Sequence, residues 1–98
     1  MVGQGDGMFK VTTKDNPEYQ EFKSWSTFHK TNQVLHSHND KPSVIGYYDS
    51  GEVCYKWWYL DGQAYCKQDY KRILKQVKSM SDTEKLLDSR WWVREQVK

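Results

Sequence analysis

Residues 42–66 read PSVIGYYDSGEVCYKWWYLDGQAYC, and this stretch decides the fold. Two turn signals divide it. Asp49-Ser50-Gly51 puts glycine where a three-residue hairpin loop needs a positive φ, and Asp61-Gly62 suits a two-residue primed turn. Around these turns lie three runs rich in β-branched and aromatic residues: Ser43–Tyr48, Glu52–Tyr59 and Gln63–Cys66. Two consecutive hairpins make an antiparallel meander, with Val34–Ser37 as a candidate first strand. Along Glu52–Tyr59 a two-residue period sends Val53, Tyr55, Trp57 and Tyr59 to one side, and Cys54, Lys56 and Trp58 to the other. Aromatics on both sides imply that both faces of the sheet are at least partly covered.

The chain beyond the meander changes period. Tyr70, Ile73, Leu74, Val77 and Met80 follow helical spacing and form an apolar stripe that should lie on the sheet. Ser81-Asp82-Thr83-Glu84 is a capping box, so one helix ends there and a second begins, offering Leu86, Leu87, Trp91, Val93 and Val97 to a partner surface. Upstream, Asn16-Pro17-Glu18 has the order of a helix start, and Tyr19, Phe22 and Trp25 recur at three-residue spacing. Ser24–Phe28 alternates as a strand would, which competes with that helix. Met1–Gly7, glycine-rich and polar, reads as a flexible lead or cloning remnant ahead of a start at Met8. The fold class is α+β: an antiparallel β-meander of three to four strands, two C-terminal helices and a short N-terminal helix. It forms a single domain over residues 8–98, with the meander at 34–66 and the helical part at 67–98.

The totals agree with one small domain. A chain of 98 residues supports only a modest core. Its five Trp and seven Tyr supply burial that so short a chain otherwise lacks. Cys54 and Cys66 make no disulfide framework, and no apolar run approaches the ~18 residues of a membrane span. No signal-peptide pattern opens the chain, so the reading is cytoplasmic, with both thiols reduced and no membrane partner. Charge is uneven. Residues 1–66 carry six Lys against eight acids, whereas residues 67–98 carry nine Lys and Arg against five acids.

That basic third holds the clearest binding signal. Lys67, Lys71, Lys75 and Lys78 fall near one face of the first C-terminal helix, with Arg72 beside them. Such a face can meet phosphates, and exposed aromatics nearby can stack on unpaired bases. A solvated amphipathic helix accounts for the same lysines. In the doublets Trp57-Trp58 and Trp91-Trp92 one member each is expected in the core; Trp58, Trp92 and Tyr47 are the candidates for a partner surface.

His36-Ser37-His38-Asn39-Asp40-Lys41-Pro42-Ser43-Val44-Ile45, then Tyr47-Tyr48, Gly51, Tyr55, Trp58-Tyr59 and Asp61-Gly62, resembles a repeat of small bacteriophage and large-DNA-virus proteins. Its pattern runs Asn-Asp-x-Pro-Ala, aromatics, Gly, aromatics, Trp-Tyr-x-Asn-Gly. Ser43 replaces the usual Ala and Asp61 the usual Asn, and the next half-repeat fails to restart at Tyr65. The fragment Asn32-Gln33-Val34-Leu35-His36 is a fainter echo. The resemblance spans about a third of the chain and implies a β-meander of phage origin. Small phage proteins of this kind bind and inhibit host components. It therefore implies a counter-defence role against a host protein, such as an antiviral toxin or nuclease.

Catalytic and metal chemistry find little footing. His36 and His38 alternate and would project to one face, where Cys54, Cys66 or His29 could join them at zinc, but paired ligand spacing is missing. No Gly-framed nucleophile or phosphate-cradling loop appears. The expectation is a non-enzymatic binding protein, with no catalytic residue, metal or cofactor, bound to a host protein and to RNA through the basic helix. A small nuclease using His36 and His38, or a structural β-meander protein without nucleic-acid contact, are the alternatives. Oligomeric state is open, a homodimer included.

Overall fold

A computed structural model describes residues 8–97. The expected lead Met1–Gly7 lies outside them. Five strands form one antiparallel sheet in the order β2-β1-β3-β4-β5. These are β1 (Phe9–Thr13), β2 (Asn16–Phe22), β3 (Val44–Tyr47), β4 (Val53–Leu60) and β5 (Gln63–Tyr65). The helices are α1 (Trp25–His29), α2 (Lys67–Lys78), α3 (Asp82–Leu86) and α4 (Trp91–Arg94). The α+β class and the β3-β4-β5 meander are as the sequence implies. Gly51 (φ 95°) closes the first meander turn; Asp61 (φ 50°) and Gly62 (φ 86°) together close the second.

Two elements differ from the sequence reading. Asn16-Pro17-Glu18 opens strand β2, not a helix. The Asn16 side chain does accept the backbone N–H of Glu18 at 3.0 Å, but as a local turn feeding an edge strand. Pro17 is tolerated there because an edge leaves one N–H row unpaired. The N-terminal helix is instead α1, capped by Ser24, whose Oγ accepts the Thr27 N–H at 3.2 Å. Val34–Ser37 is not a strand: only Leu35 bridges to Thr13. The strand missed by the sequence reading is β1, which pairs with β2 on one side and β3 on the other.

Directly opposed residues share a face of a sheet. Phe9 lies opposite both Phe22 and Gly46, and Val11 opposite Val44. These residues therefore build one face, which α1 covers: Trp25 stacks on Phe9 at 4.1 Å and Phe28 meets Phe22 edge-on at 5.3 Å. Trp58 and Leu60 belong to the other face, packed with Tyr70 and Val77 of α2 and Trp92 and Val93 of α4. The Tyr70–Met80 stripe thus lies on the sheet as its spacing predicts.

The second C-terminal helix is split. Its capping box forms, with Ser81 Oγ accepting from Glu84 N–H and Glu84 accepting from Ser81 N–H. Helix α3 nevertheless stops at Leu86, and Leu86 and Leu87 stay exposed rather than meeting a surface. Asp88 is the cause. Its carboxylate accepts the Arg90 backbone N–H at 2.8 Å and both Nε and Nη2 of the Arg90 guanidinium at 2.9 Å. A short acceptor side chain that binds the backbone two residues on competes with helical continuation. The Arg90 guanidinium holds the Asp88 carboxyl down to about 2.

Candidate functional site

The chain from Leu35 to Asp40 is stitched between the ends of β1 and β4. His36 N–H donates to Thr12 O at 3.2 Å, and Thr12 Oγ1 donates back to His36 O at 2.7 Å. On the other side Ser37 N–H donates to Tyr59 O at 2.7 Å, and Ser37 Oγ accepts from Tyr59 N–H at 3.1 Å. Backbone held by neighbours on both sides presents its side chains rigidly.

That segment frames a cleft of about 330 Å³ against α2 and the C-terminal helix, with His36, His38, Asp40, Tyr70, Lys78 and Trp92 among its walls. The two imidazoles come together as their spacing suggests, with centroids 5.1 Å apart, but from irregular chain, not from a strand. They are not equivalent. His36 is buried, its ring 4.6 Å from that of Trp91, and its Nδ1 accepts the Asp61 backbone N–H at 3.0 Å. Its proton therefore sits on Nε2. Burial, then the neighbouring His38, pushes its pKa down to about 4, against a smaller opposing pull from Asp61. His38 Nε2 donates to Thr13 O at 2.7 Å. Tyr70 is deeply buried, and burial with the Asp40 carboxylate nearby pushes its hydroxyl up to about 12.

Helix α2 borders this cleft. Lys67, Lys71, Lys75 and Lys78 are all exposed. At about 100° per residue they span an arc of about 80°, on the side where Tyr70 and Leu74 turn toward the cleft. Lys78 belongs to both features. Arg72 does not join the stripe: it stands about 100° from the centre of the arc and binds the Asp69 carboxylate at 2.6 Å.

The aromatic candidates need correction. One member of each tryptophan doublet is in the core, as expected, but the buried members are Trp58 and Trp92, each 7% exposed. Both were candidates for a partner surface. They are instead the largest buried side chains of the cluster that joins sheet to helices, where Trp58 lies beside Tyr70 of α2 and Trp92 is buried with Val93 of α4. Trp57 is the exposed member of its doublet. Trp91 is half-buried between His36 and Lys14, whose Nζ lies 5.0 Å from its ring centre. Tyr47 is half-buried and lines a shallow groove with Met8, Lys10 and Tyr48. Among the described residues no group of three His, Cys, Asp or Glu side chains converges on a point. Cys54 and Cys66 are both exposed. No helix of the described residues is long and apolar enough to cross a membrane.

Compared with known proteins, the chain matches no protein family, no curated protein and no solved structure.

Proposed function

We propose that the protein works by binding and occluding a partner rather than by chemistry, and that the lysine stripe of α2 is its contact. The observation that carries this reading is the stripe itself. Four exposed lysines lie along one side of a 12-residue helix, and among the described residues none of them forms an ion pair. A helix fixed by Tyr70 and Val77 holds those charges in a set line. A polyanion such as RNA complements such a line and releases counterions on binding. The half-buried and exposed rings of the molecule can add stacking. The resemblance of residues 36–65 extends the proposal: a phage-encoded inhibitor of a host toxin or nuclease, acting in the host cytoplasm, with RNA in the contact.

A nuclease built on His36 and His38 has weaker support. His36 Nδ1 is committed to the Asp61 N–H, so that ring has no free acceptor with which to take a proton. Affinity capture from infected host cells, with protein and RNA both identified, tests the binding proposal. Recovery of neither a host protein nor RNA above a control with all four lysines replaced by Glu would overturn it.

A further inference from the structure

The cleft beside α2 has a buried floor and a charged rim. His36, Tyr70 and Trp92, all buried, form the floor. His36 is 6% exposed, and its Nδ1 is taken by the Asp61 N–H. The proton on Nε2 has no hydrogen-bond acceptor among the described residues. The atoms sealed from solvent without a partner there are Thr13 Oγ1 and Trp91 Nε1, so His36 Nε2 is not sealed in, and the opening its ring lines is this cleft. A ligand that brings an acceptor completes that donor. Held down to about 4, the imidazole is neutral near pH 7 and donates without carrying a charge. At the rim stand Lys78, Asp40 and Glu95, all exposed and none in an ion pair among the described residues.

We propose that this cleft takes one unpaired base, adenine or cytosine, of an RNA strand held along the lysine stripe. The assignment rests on that stripe being an RNA contact. Three observations select a base over other small ligands. The rim sets two carboxylates against one ammonium, which disfavours a lone phosphate or carboxylate as the occupant. The floor is largely aromatic with one uncharged donor in it, and at about 330 Å³ the cleft is at the small end of ligand sites, which suits a single flat ring system. Lys78 stands both at the rim and at the end of the stripe. A strand lying along Lys71 and Lys75 therefore reaches the mouth with a phosphate on Lys78 and a base free to turn inward. Adenine and cytosine each set an accepting ring nitrogen, for the His36 Nε2 proton, beside an amino group that donates to the carboxylates of Asp40 and Glu95. Uracil has no amino group and would set a carbonyl oxygen against those carboxylates instead.

Fluorescence anisotropy with two short labelled RNA oligomers, one of uridine alone and one with adenosines at its centre, tests this. The adenosine oligomer should bind the full chain about tenfold tighter. In the double variant Asp40→Asn/Glu95→Gln the two should bind nearly alike, with the uridine oligomer held no less tightly than before, because two negative charges are gone. Both positions are exposed, and Asn tolerates the positive φ of Asp40, so the fold is kept. Millimolar adenosine should shift the His36 Nε2 resonance of ¹⁵N-labelled protein, and uridine should shift it less. Equal, salt-dependent affinity for the two oligomers overturns the base pocket and leaves the lysine stripe standing. A preference that survives in the double variant, or adenosine that leaves His36 Nε2 unmoved, also overturns the pocket. Binding of neither oligomer overturns the stripe and the pocket together.

Discussion

Trp58 donates its indole N–H to the carbonyl oxygen of Asp40 at 3.1 Å, tying the helix-covered core to a turn in the loop ahead of β3. In that turn two successive non-glycine residues have positive φ, Asn39 at 55° and Asp40 at 65°. Asn and Asp tolerate this region because their short polar side chains bond locally. Trp58→Phe should therefore cost more than its small loss of volume, about 1–3 kcal/mol in urea unfolding, because the Asp40 carbonyl loses its partner. Asp40→Gly should go the other way, raising the urea midpoint by the equivalent of about 0.5 kcal/mol as the backbone strain is relieved.

Gly46 and Tyr55 make a second cross-strand dependency. They are directly opposed on β3 and β4, and the Tyr55 ring lies over Gly46 where a Cβ would sit. Any side chain there displaces the ring, which also borders Trp25. Gly46→Ala should destabilise by about 1–3 kcal/mol, the range for overpacking. In a Tyr55→Ala background the same change should cost clearly less, so a double-mutant cycle by thermal unfolding should show strong coupling. Additive effects would mean that the ring does not hold the glycine in place.

These two relationships explain why so much of the meander could be read from sequence. Asn39, Asp40, Gly51, Asp61 and Gly62 all have positive φ, so local backbone chemistry alone demands those residue types. Even Ser43, an oddity in the repeat-like pattern, has a local use: it is fully buried and donates its hydroxyl to Thr12 O at 2.8 Å. The residues that prompted the expectation of a repeat therefore fall largely on scaffold positions. What sequence reading missed was decided at a distance. Asn16 binding the Glu18 N–H looks the same in a helix cap and in a strand entry, and only pairing with β1 chooses between them. Strict alternation correctly sends one of Trp57 and Trp58 inward. Which one it is depends on how far β5 and α2 reach, and that information is spread over many residues. His36 and His38 were paired for the wrong reason, since the loop that joins them is shaped by β1 and β4.

His36 gives the fold a pH dependence of known sign. Its folded pKa of about 4 is below the ordinary 6.5, so the unfolded chain binds more protons between those values. Stability is full above the unfolded pKa and falls as pH drops toward 4. The effect should be on the order of 2 kcal/mol after allowance for solvent screening. Urea midpoints measured between pH 7.5 and pH 4.5 should decline more steeply for the native chain than for His36→Gln. Equal slopes would show that His36 is not held neutral. Near-ultraviolet circular dichroism should report the same transition, because Trp91 rests against the imidazole.

The lysine stripe of α2 makes the sharpest demand on the functional proposal, because Arg72 supplies an internal control on the same helix. If the stripe meets phosphates, affinity for single-stranded RNA should fall with salt, with a log–log slope of about 0.7 per contact. Replacing Lys71 or Lys75 by Gln should weaken binding and flatten that slope by about one contact each. Arg72→Gln should leave the slope nearly unchanged, since its guanidinium is turned away from the stripe and engaged with Asp69. All of these residues are exposed, so circular dichroism should show the fold intact in each variant. A protein that binds RNA equally well after both lysines are removed, or that responds to Arg72 as strongly as to Lys71, does not use this side of the helix. The four lysines would then serve solubility alone.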